Sequence, residues 1–412
     1  MSAGSVVVVG GGQAGFQTAA SLRQEGYAGR VVLVGDRHPP YQRPPLSKAY
    51  LTGRVDVAEL AFRPGDFYAR HRIEVVPGPV TAVDRAGRTV ALATGEHLAY
   101  EHLVLATGCR ARRLGVPGQD LRGVHYLRDV DDASALVEHL GRAERLVVVG
   151  AGFIGLEVAA AARQRGAEVT VLEFAPRAMG RAVSACVGDF FIGRHRAAGT
   201  RVEVSTGVEA LLDDGDGHVR GVRASTGEVL PADLVVVGVG VLPRTDLAEA
   251  AGLTVDGGVL VDDHLRSVDD AAVSAVGDCS RFVDSRSGAR VRLESVQNAV
   301  DQGRCVAARI AGRPFPYTAL PWFWTDQLGS KLQIAGLSAG HDRAVLVGDG
   351  VGGPFSVYCF AGQRLLAVES VDRPADHMAA RRVLGAGGDA LAAVTPDTVR
   401  REGFRLRDLV AA

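Results

Sequence analysis

With 412 residues, 47% of them hydrophobic and 23% charged, the chain can bury more than one core, so two or three domains are expected and general disorder is excluded. A formal net charge of −1 makes no global field, which argues against nucleic acid or a membrane surface as partner and leaves charged partners to local patches. The opening residues lack a basic stretch followed by a long apolar run, and the five cysteines are scattered without C-x-x-C or metal-ligand spacing; a cytoplasmic chain with reduced thiols, no membrane span and no metal is expected.

The stretch 6–20, VVVVGGGQAGFQTAA, organises the first domain. Four consecutive valines fit a strand buried on both faces of a parallel sheet, and Gly10, Gly12 and Gly15 then spell G-x-G-x-x-G as the chain turns into an Ala-rich helix. Gly10 permits the tight turn, Gly12 lets backbone approach a pyrophosphate, and Gly15 lets helix pack on strand. A second strand, 30–34, leads to Asp36, about twenty residues beyond Gly15, where an acid can bind a ribose diol.

Residues 38–48, HPPYQRPPLSK, are too rich in proline for a strand and are expected to form an ordered loop entering a helix whose first turn carries Lys48. Of 46 basic residues only Lys48 and Lys331 are lysines, which suggests that a guanidinium would not serve at those places. Short β segments at 73–76, 80–84 and 89–92 read as a hairpin excursion, 100–108 as a strand closing on Ala106-Thr107-Gly108, and 110–118 as a boundary.

Residues 146–162, LVVVGAGFIGLEVAAAA, repeat the opening motif with Gly150, Gly152 and Gly155, followed by a strand ending in Glu173. Two such units imply two dinucleotides, and the chemically sensible pair is a flavin and a nicotinamide. Glu173 favours an unphosphorylated ribose, hence NADH, although Arg177 is close by. Glu157 stands where the first unit has Gln17; a carboxylate there would crowd phosphates, so it is expected to project toward the flavin side. Further strands are expected at 234–240 and 273–279 and a helix from Arg292 to Gly303; after Trp322, strands at 331–336, 344–347, 355–360 and 364–370 and helices from about Pro374 make a third domain. Trp322-Phe323-Trp324 reads equally as a hydrophobic joint or as an aromatic wall over a bound ring.

The fold class is therefore α/β, two Rossmann-like dinucleotide-binding domains plus a C-terminal α+β domain, with boundaries at 1–115 and 243–318, 116–242 and 319–412. The set RPPLSK (43–48), ATG (106–108), GxGxxGxE (150–157), GDC (277–279), RLESVQNA (292–299) and PWFWTDQ (321–327) resembles the NADH-dependent ferredoxin reductases of bacterial oxygenase systems, the putidaredoxin reductase-like members of the glutathione-reductase-like flavoproteins. The resemblance assigns NAD to 116–242 and FAD to 1–115 with 243–318, the FAD contacted by Gly12, Ala14, Asp36, Lys48, Val80, Arg128, Asp278 and Val296. It completes the cofactor set with Gly10, Gly15, Ala106, Gly150, Gly152, Ile154, Gly155, Glu173, Gly240 and Glu294, and it places Lys48, Glu157 and Trp324 beside the reacting rings. It also implies hydride transfer from NADH to flavin and single-electron delivery to a [2Fe–2S] ferredoxin of a cytochrome P450 or Rieske-type oxygenase. Arg304, Arg309 and Lys331 are candidates for a basic docking patch. The alternatives are a rubredoxin- or nitrite-reductase-linked NADH reductase and an apoptosis-inducing-factor-like redox protein. Cys109 and Leu328-Gly329 depart from the family pattern.

Overall fold

Val6, Val7 and Val8 are fully buried because their strand, Ser5–Val9, is the middle member of a five-stranded sheet. In a computed structural model describing residues 4–35 and 38–409, that sheet runs Val273–Ala275, His102–Leu105, Ser5–Val9, Arg30–Gly35, Ile73–Pro77, with all neighbours parallel. It forms the core of a unit made from Met1–Arg43, Asp56–Arg110 and Val241–Ala319. The helix Gln13–Gln24 covers it, and the helix Val296–Ile310 lies on that helix so closely that a Cβ at Gly303 would come within 3.1 Å of the Ala14 carbonyl.

A second unit, from Pro44–Val55, Ala111–Gly240 and Leu320–Ala412, contains the same design. Its sheet runs Arg201–Glu203, Glu168–Leu172, Arg145–Val149, Leu234–Val237, Val124–Tyr126, again all parallel. In both units a three-stranded antiparallel sheet intervenes before the return strand: 80–84, 89–92 and 97–99 in one, 208–213, 219–224 and 229–231 in the other. The second unit also holds a five-stranded antiparallel sheet, Trp322–Gln327, Ser330–Gly336, Arg364–Val371, Phe355–Ala361, Arg343–Gly348, backed by the helix Pro374–Ala386. Buried Glu369 of this sheet accepts from the backbone N–H and hydroxyl of Ser184, at the N-terminus of the helix Ala185–Ala197, the end whose partial positive charge suits a carboxyl acceptor.

Several local expectations change. Ile73–Pro77 is the outer strand of the parallel sheet rather than part of the hairpin excursion, because the short helix Gly65–Arg70 supplies the crossover that parallel pairing needs. The strand expected over 273–279 stops at Ala275, and Gly277, at φ +74°, begins a tight turn. The helix expected from Arg292 starts at Val296, because the Ser295 hydroxyl takes the Asn298 N–H at 3.1 Å and so fixes the N-cap there. Lys48 is not in the first turn of a helix: Pro44–Ser47 form a 3-10 turn and Lys48 comes directly after it. Prolines fit such a first turn, since neither φ nor the missing N–H conflicts with it. Trp322–Gln327, unassigned from sequence, is a strand paired with Ser330–Gly336.

Candidate active site

Each parallel sheet delivers its middle strand into a glycine loop with the same backbone course. Gly10 and Gly150 have φ of +121° and +104°, a region open to glycine. A Cβ at Gly10 would lie 2.1 Å from the Ala106 carbonyl, and one at Gly150 2.6 Å from that of Gly238. Gly15 and Gly155 serve close packing, since a Cβ would fall 1.8 Å from the Gly10 carbonyl and 2.0 Å from the Gly150 carbonyl. Gly12 and Gly152 differ in kind. A Cβ at Gly12 meets nothing within 4 Å, and one at Gly152 only the Gly238 carbonyl at 4.0 Å.

Those two glycines are also the N-caps of Gln13–Gln24 and Phe153–Gln164, and neither helix carries a side-chain cap or an acid in its first turn. By contrast, the helix Val130–Leu140 is closed by an Asp129–Asp132 capping box. An open volume beside a glycine, backbone N–H groups aimed along the helix axis and no carboxylate in the first helical turn are what a pyrophosphate requires. The residues present therefore fit a dinucleotide in each unit.

In the second unit Glu173 accepts from the Ala151 N–H at 2.7 Å and the Ala175 N–H at 2.8 Å, so its carboxylate is tied to the glycine loop. Ile154, 38% exposed, stands in the first turn of the helix Phe153–Gln164, and Gly240 lies beyond the return strand at φ +99°. The unit also holds Arg128, whose backbone N–H donates to Asp132 at 2.9 Å.

Glu157 is buried on the helix Phe153–Gln164, and a buried carboxylate is costly unless it is paired. It has three partners: Lys48 Nζ lies 2.7 Å from Oε1, Thr325 Oγ1 donates to Oε1 at 2.6 Å, and Ser47 Oγ donates to Oε2 at 2.5 Å. The network continues through Gln327 Nε2, which donates to Thr325 Oγ1 at 3.2 Å, and His195 Nε2, 3.2 Å from Gln327 Oε1. Burial lowers the His195 pKa, so the ring is neutral at pH 7 and its Nε2–H points at Gln327. Sequence brought Lys48 and Glu157 together only through the resemblance, and missed Ser47, Thr325, Gln327 and His195. One signal was available: in WFWTDQ, Thr325 and Gln327 are two apart on one strand and face the same side, a polar pair in an apolar setting that calls for partners.

Trp324 lies on the same strand, its ring 5.5 Å from Trp322. Phe323 packs on Phe153 at 4.5 Å, and Arg381 sits over the Trp322 ring at 4.4 Å. Trp322 and Phe323 are therefore part of a hydrophobic joint.

The first unit holds Gly10, Gly12, Ala14, Gly15, Val80, Ala106, Asp278, Glu294 and Val296; Asp36 lies outside the described residues. Glu294 is exposed and pairs with Arg292 at 2.7 Å. Among the docking candidates Arg304 and Lys331 are exposed, but Arg309 is corrected: it is half-buried, burial lowers its pKa, and it donates to Ser274 Oγ at 2.6 Å, so it is committed inside the fold.

Two glycine cradles with one topology, a buried acid–lysine pair and an added antiparallel module define a two-dinucleotide oxidoreductase. The chain belongs to the pyridine nucleotide-disulphide oxidoreductase family, which matches residues 4–303, and residues 322–410 match the domain described as reductase C-terminal. The family binds FAD and uses NAD(P)H. Rhodocoxin reductase of Rhodococcus erythropolis is 50% identical over 92% of this chain and 89% of its own length. Putidaredoxin reductase of Pseudomonas putida is 39% identical over 99% of this chain and 97% of its own. The crystal structure of the ferredoxin reductase for the CYP199A2 system of Rhodopseudomonas palustris superposes with a TM-score of 0.95 at 46% identity, covering 99% of this chain and 100% of that one. No helix among the described residues is long and apolar enough to cross a membrane.

Proposed function

We propose that this chain is an FAD-dependent ferredoxin reductase of the cytoplasm, taking hydride from NADH and passing electrons singly to a [2Fe–2S] ferredoxin that serves a P450 or Rieske-type oxygenase. The observation that carries the reading is the Lys48–Glu157 pair of 2.7 Å in a chain with no cysteine anywhere in the 38–48 segment that supplies the lysine. The segment that would bring a redox cysteine pair to the flavin in a disulfide reductase brings a lysine instead, so electrons leave toward an external acceptor. Relatives named for rhodocoxin, putidaredoxin and a CYP199A2 ferredoxin support that acceptor class.

FAD is assigned to Gly10, Gly12, Ala14, Gly15, Ala106, Val80, Asp278 and Val296, with Asp36 on its ribose and Arg128 as a further contact. NADH is assigned to Gly150, Gly152, Ile154, Gly155, Glu173 and Gly240, with Glu294 among the cofactor residues. When bound, the flavin accepts a hydride and releases its electrons one at a time. The protein supplies positioning: Ser47 and Thr325 hold the Glu157 carboxylate, Glu157 holds the Lys48 ammonium, and Lys48, Glu157 and Trp324 line the reacting end. Glu173 sets a negative charge against a 2′-phosphate, and such like-charge juxtaposition costs enough to favour NADH by about tenfold or more. Arg304 and Lys331 are assigned to steering an acidic ferredoxin.

The test is purification, a visible spectrum, and turnover with NADH and NADPH against a panel of ferredoxins and rubredoxins. A yellow protein that reduces a [2Fe–2S] ferredoxin faster with NADH is expected. A colourless protein, or one that reduces only disulfides or rubredoxin, overturns the reading.

A further inference from the structure

Phe174 is 83% exposed, the most exposed of the large hydrophobic side chains among the described residues. Such exposure is common where backbone is loose, but here the backbone is pinned on both sides. The Glu173 N–H donates to the Glu203 carbonyl at 2.8 Å, the Glu173 carbonyl accepts from Thr206 at 2.8 Å, and the Ala175 carbonyl accepts from Ser205 at 3.0 Å. The ring is propped from behind as well: a Cβ at Gly207 would lie 3.3 Å from Phe174 Cδ2, so one edge of the ring rests against the Gly207 backbone. An apolar ring on a rigid turn, supported on one side and bare on the other, is a surface awaiting a partner.

The neighbouring residue says which partner. Glu173 holds its carboxylate at the glycine loop through the Ala151 and Ala175 N–H groups, in position for the adenosine ribose of a dinucleotide. The base is attached to that same ribose, and the Cα of residue 174 is about 3.8 Å from that of residue 173. We propose that Phe174 is the adenine platform of the nicotinamide cofactor site: its ring stacks on the base while Glu173 binds the sugar. This rests on the reading of the second glycine cradle as the NADH site. Such stacking gains affinity without reading the hydrogen-bonding edge of the base, so it strengthens cofactor capture and leaves the choice between NADH and NADPH to Glu173.

The experiment uses the flavin-loaded full chain and two probes. Calorimetry measures ADP-ribose binding, and stopped-flow absorbance measures flavin reduction by reduced nicotinamide mononucleotide, which lacks the adenine. Phe174→Ala is expected to weaken ADP-ribose about tenfold and to leave reduction by the mononucleotide unchanged, with Phe174→Trp restoring wild-type binding. Equal ADP-ribose affinity in wild type and Phe174→Ala overturns the proposal, as does an equal loss with both probes. A defect confined to the ferredoxin KM assigns the ring to a protein contact and overturns it too. Failure of the wild type itself to bind ADP-ribose overturns the underlying reading of the second cradle, a result distinct from the other three.

Discussion

The two nucleotide-binding repeats share strand order, loop course and glycine spacing, yet the same helix position carries Gln17 in one and Glu157 in the other. Gln17 is satisfied within its own helix, donating to Ser21 Oγ at 2.8 Å, and that side of the helix is covered by Val296–Ile310. Glu157 is covered instead by the Pro44–Ser47 turn and the Trp322–Gln327 strand, which bring hydroxyls and a lysine to it. The difference teaches that the cradle is the constant part of the design and the element laid on the helix is the variable one. The second repeat's cover gives it a carboxylate–lysine pair that the first lacks, and the buried carboxylate is tolerated only because that cover is polar at three points.

The comparison is broken most severely at the shared glycines. Gly15→Ala and Gly155→Ala each drive a Cβ into a carbonyl, at 1.8 and 2.0 Å, and are expected to destabilise their own unit by about 3 kcal/mol. Thermal melts followed by flavin release for the first and tryptophan emission for the second check this, because both tryptophans lie in the second unit. Equal tolerance of alanine at both sites would remove the close-packing argument.

Exchanging the distinguishing residues comes next. Glu157→Gln keeps the shape but leaves Lys48 without its counter-charge, and the rate of flavin reduction by NADH is expected to fall about 10²-fold as the geometry loosens. Gln17→Glu should leave that rate alone and weaken FAD retention, because it adds negative charge to the phosphate-binding helix. A smaller effect is expected from Thr325→Val, which deletes a hydrogen bond to a charged group: about 1.5 kcal/mol in stability and a several-fold slower hydride step, with Thr325→Ser restoring both. A Thr325→Val enzyme with wild-type rates would show that the cover does not position Glu157.

A separate expectation concerns acid. Burial lowers His125 and His377 of the second unit to about 4 from 6.5, and lowers His195 too, while the first unit has His102 shifted the same way. An imidazole kept neutral in the fold binds a proton more readily when unfolded, so its contribution is full above pH 6.5 and is lost as pH falls toward 4. Tryptophan-monitored stability should therefore drop between those values. His377→Phe, which replaces a ring whose two nitrogens lack partners, should flatten the drop. Stability that rises on acidification would contradict the assignment.

Much of the architecture was legible because it is local. The glycine spacing and the valine runs declare both repeats, since a buried parallel strand must be apolar throughout and a pyrophosphate turn must be glycine. The contacts that escaped are long-range. Ser47 and Thr325 reach Glu157 across 110 and 168 residues of sequence, and no local pattern marks such a partnership. Ile73–Pro77 escaped because an edge strand of a parallel sheet is mostly exposed and so mimics a hairpin. Arg309 misled because a helix position does not announce that a guanidinium will be drawn inward by a serine.

The division of labour between the cradles is tested most directly by Gly12→Val and Gly152→Val, since a Cβ at either position meets nothing closer than 4.0 Å in the fold and the added side chain would occupy that cradle's open volume. Visible absorbance and NADH binding should separate them: Gly12→Val purifies colourless, and Gly152→Val purifies yellow but is no longer reduced by NADH. A yellow Gly12→Val protein, or a Gly152→Val protein reduced by NADH at the wild-type rate, would contradict the account.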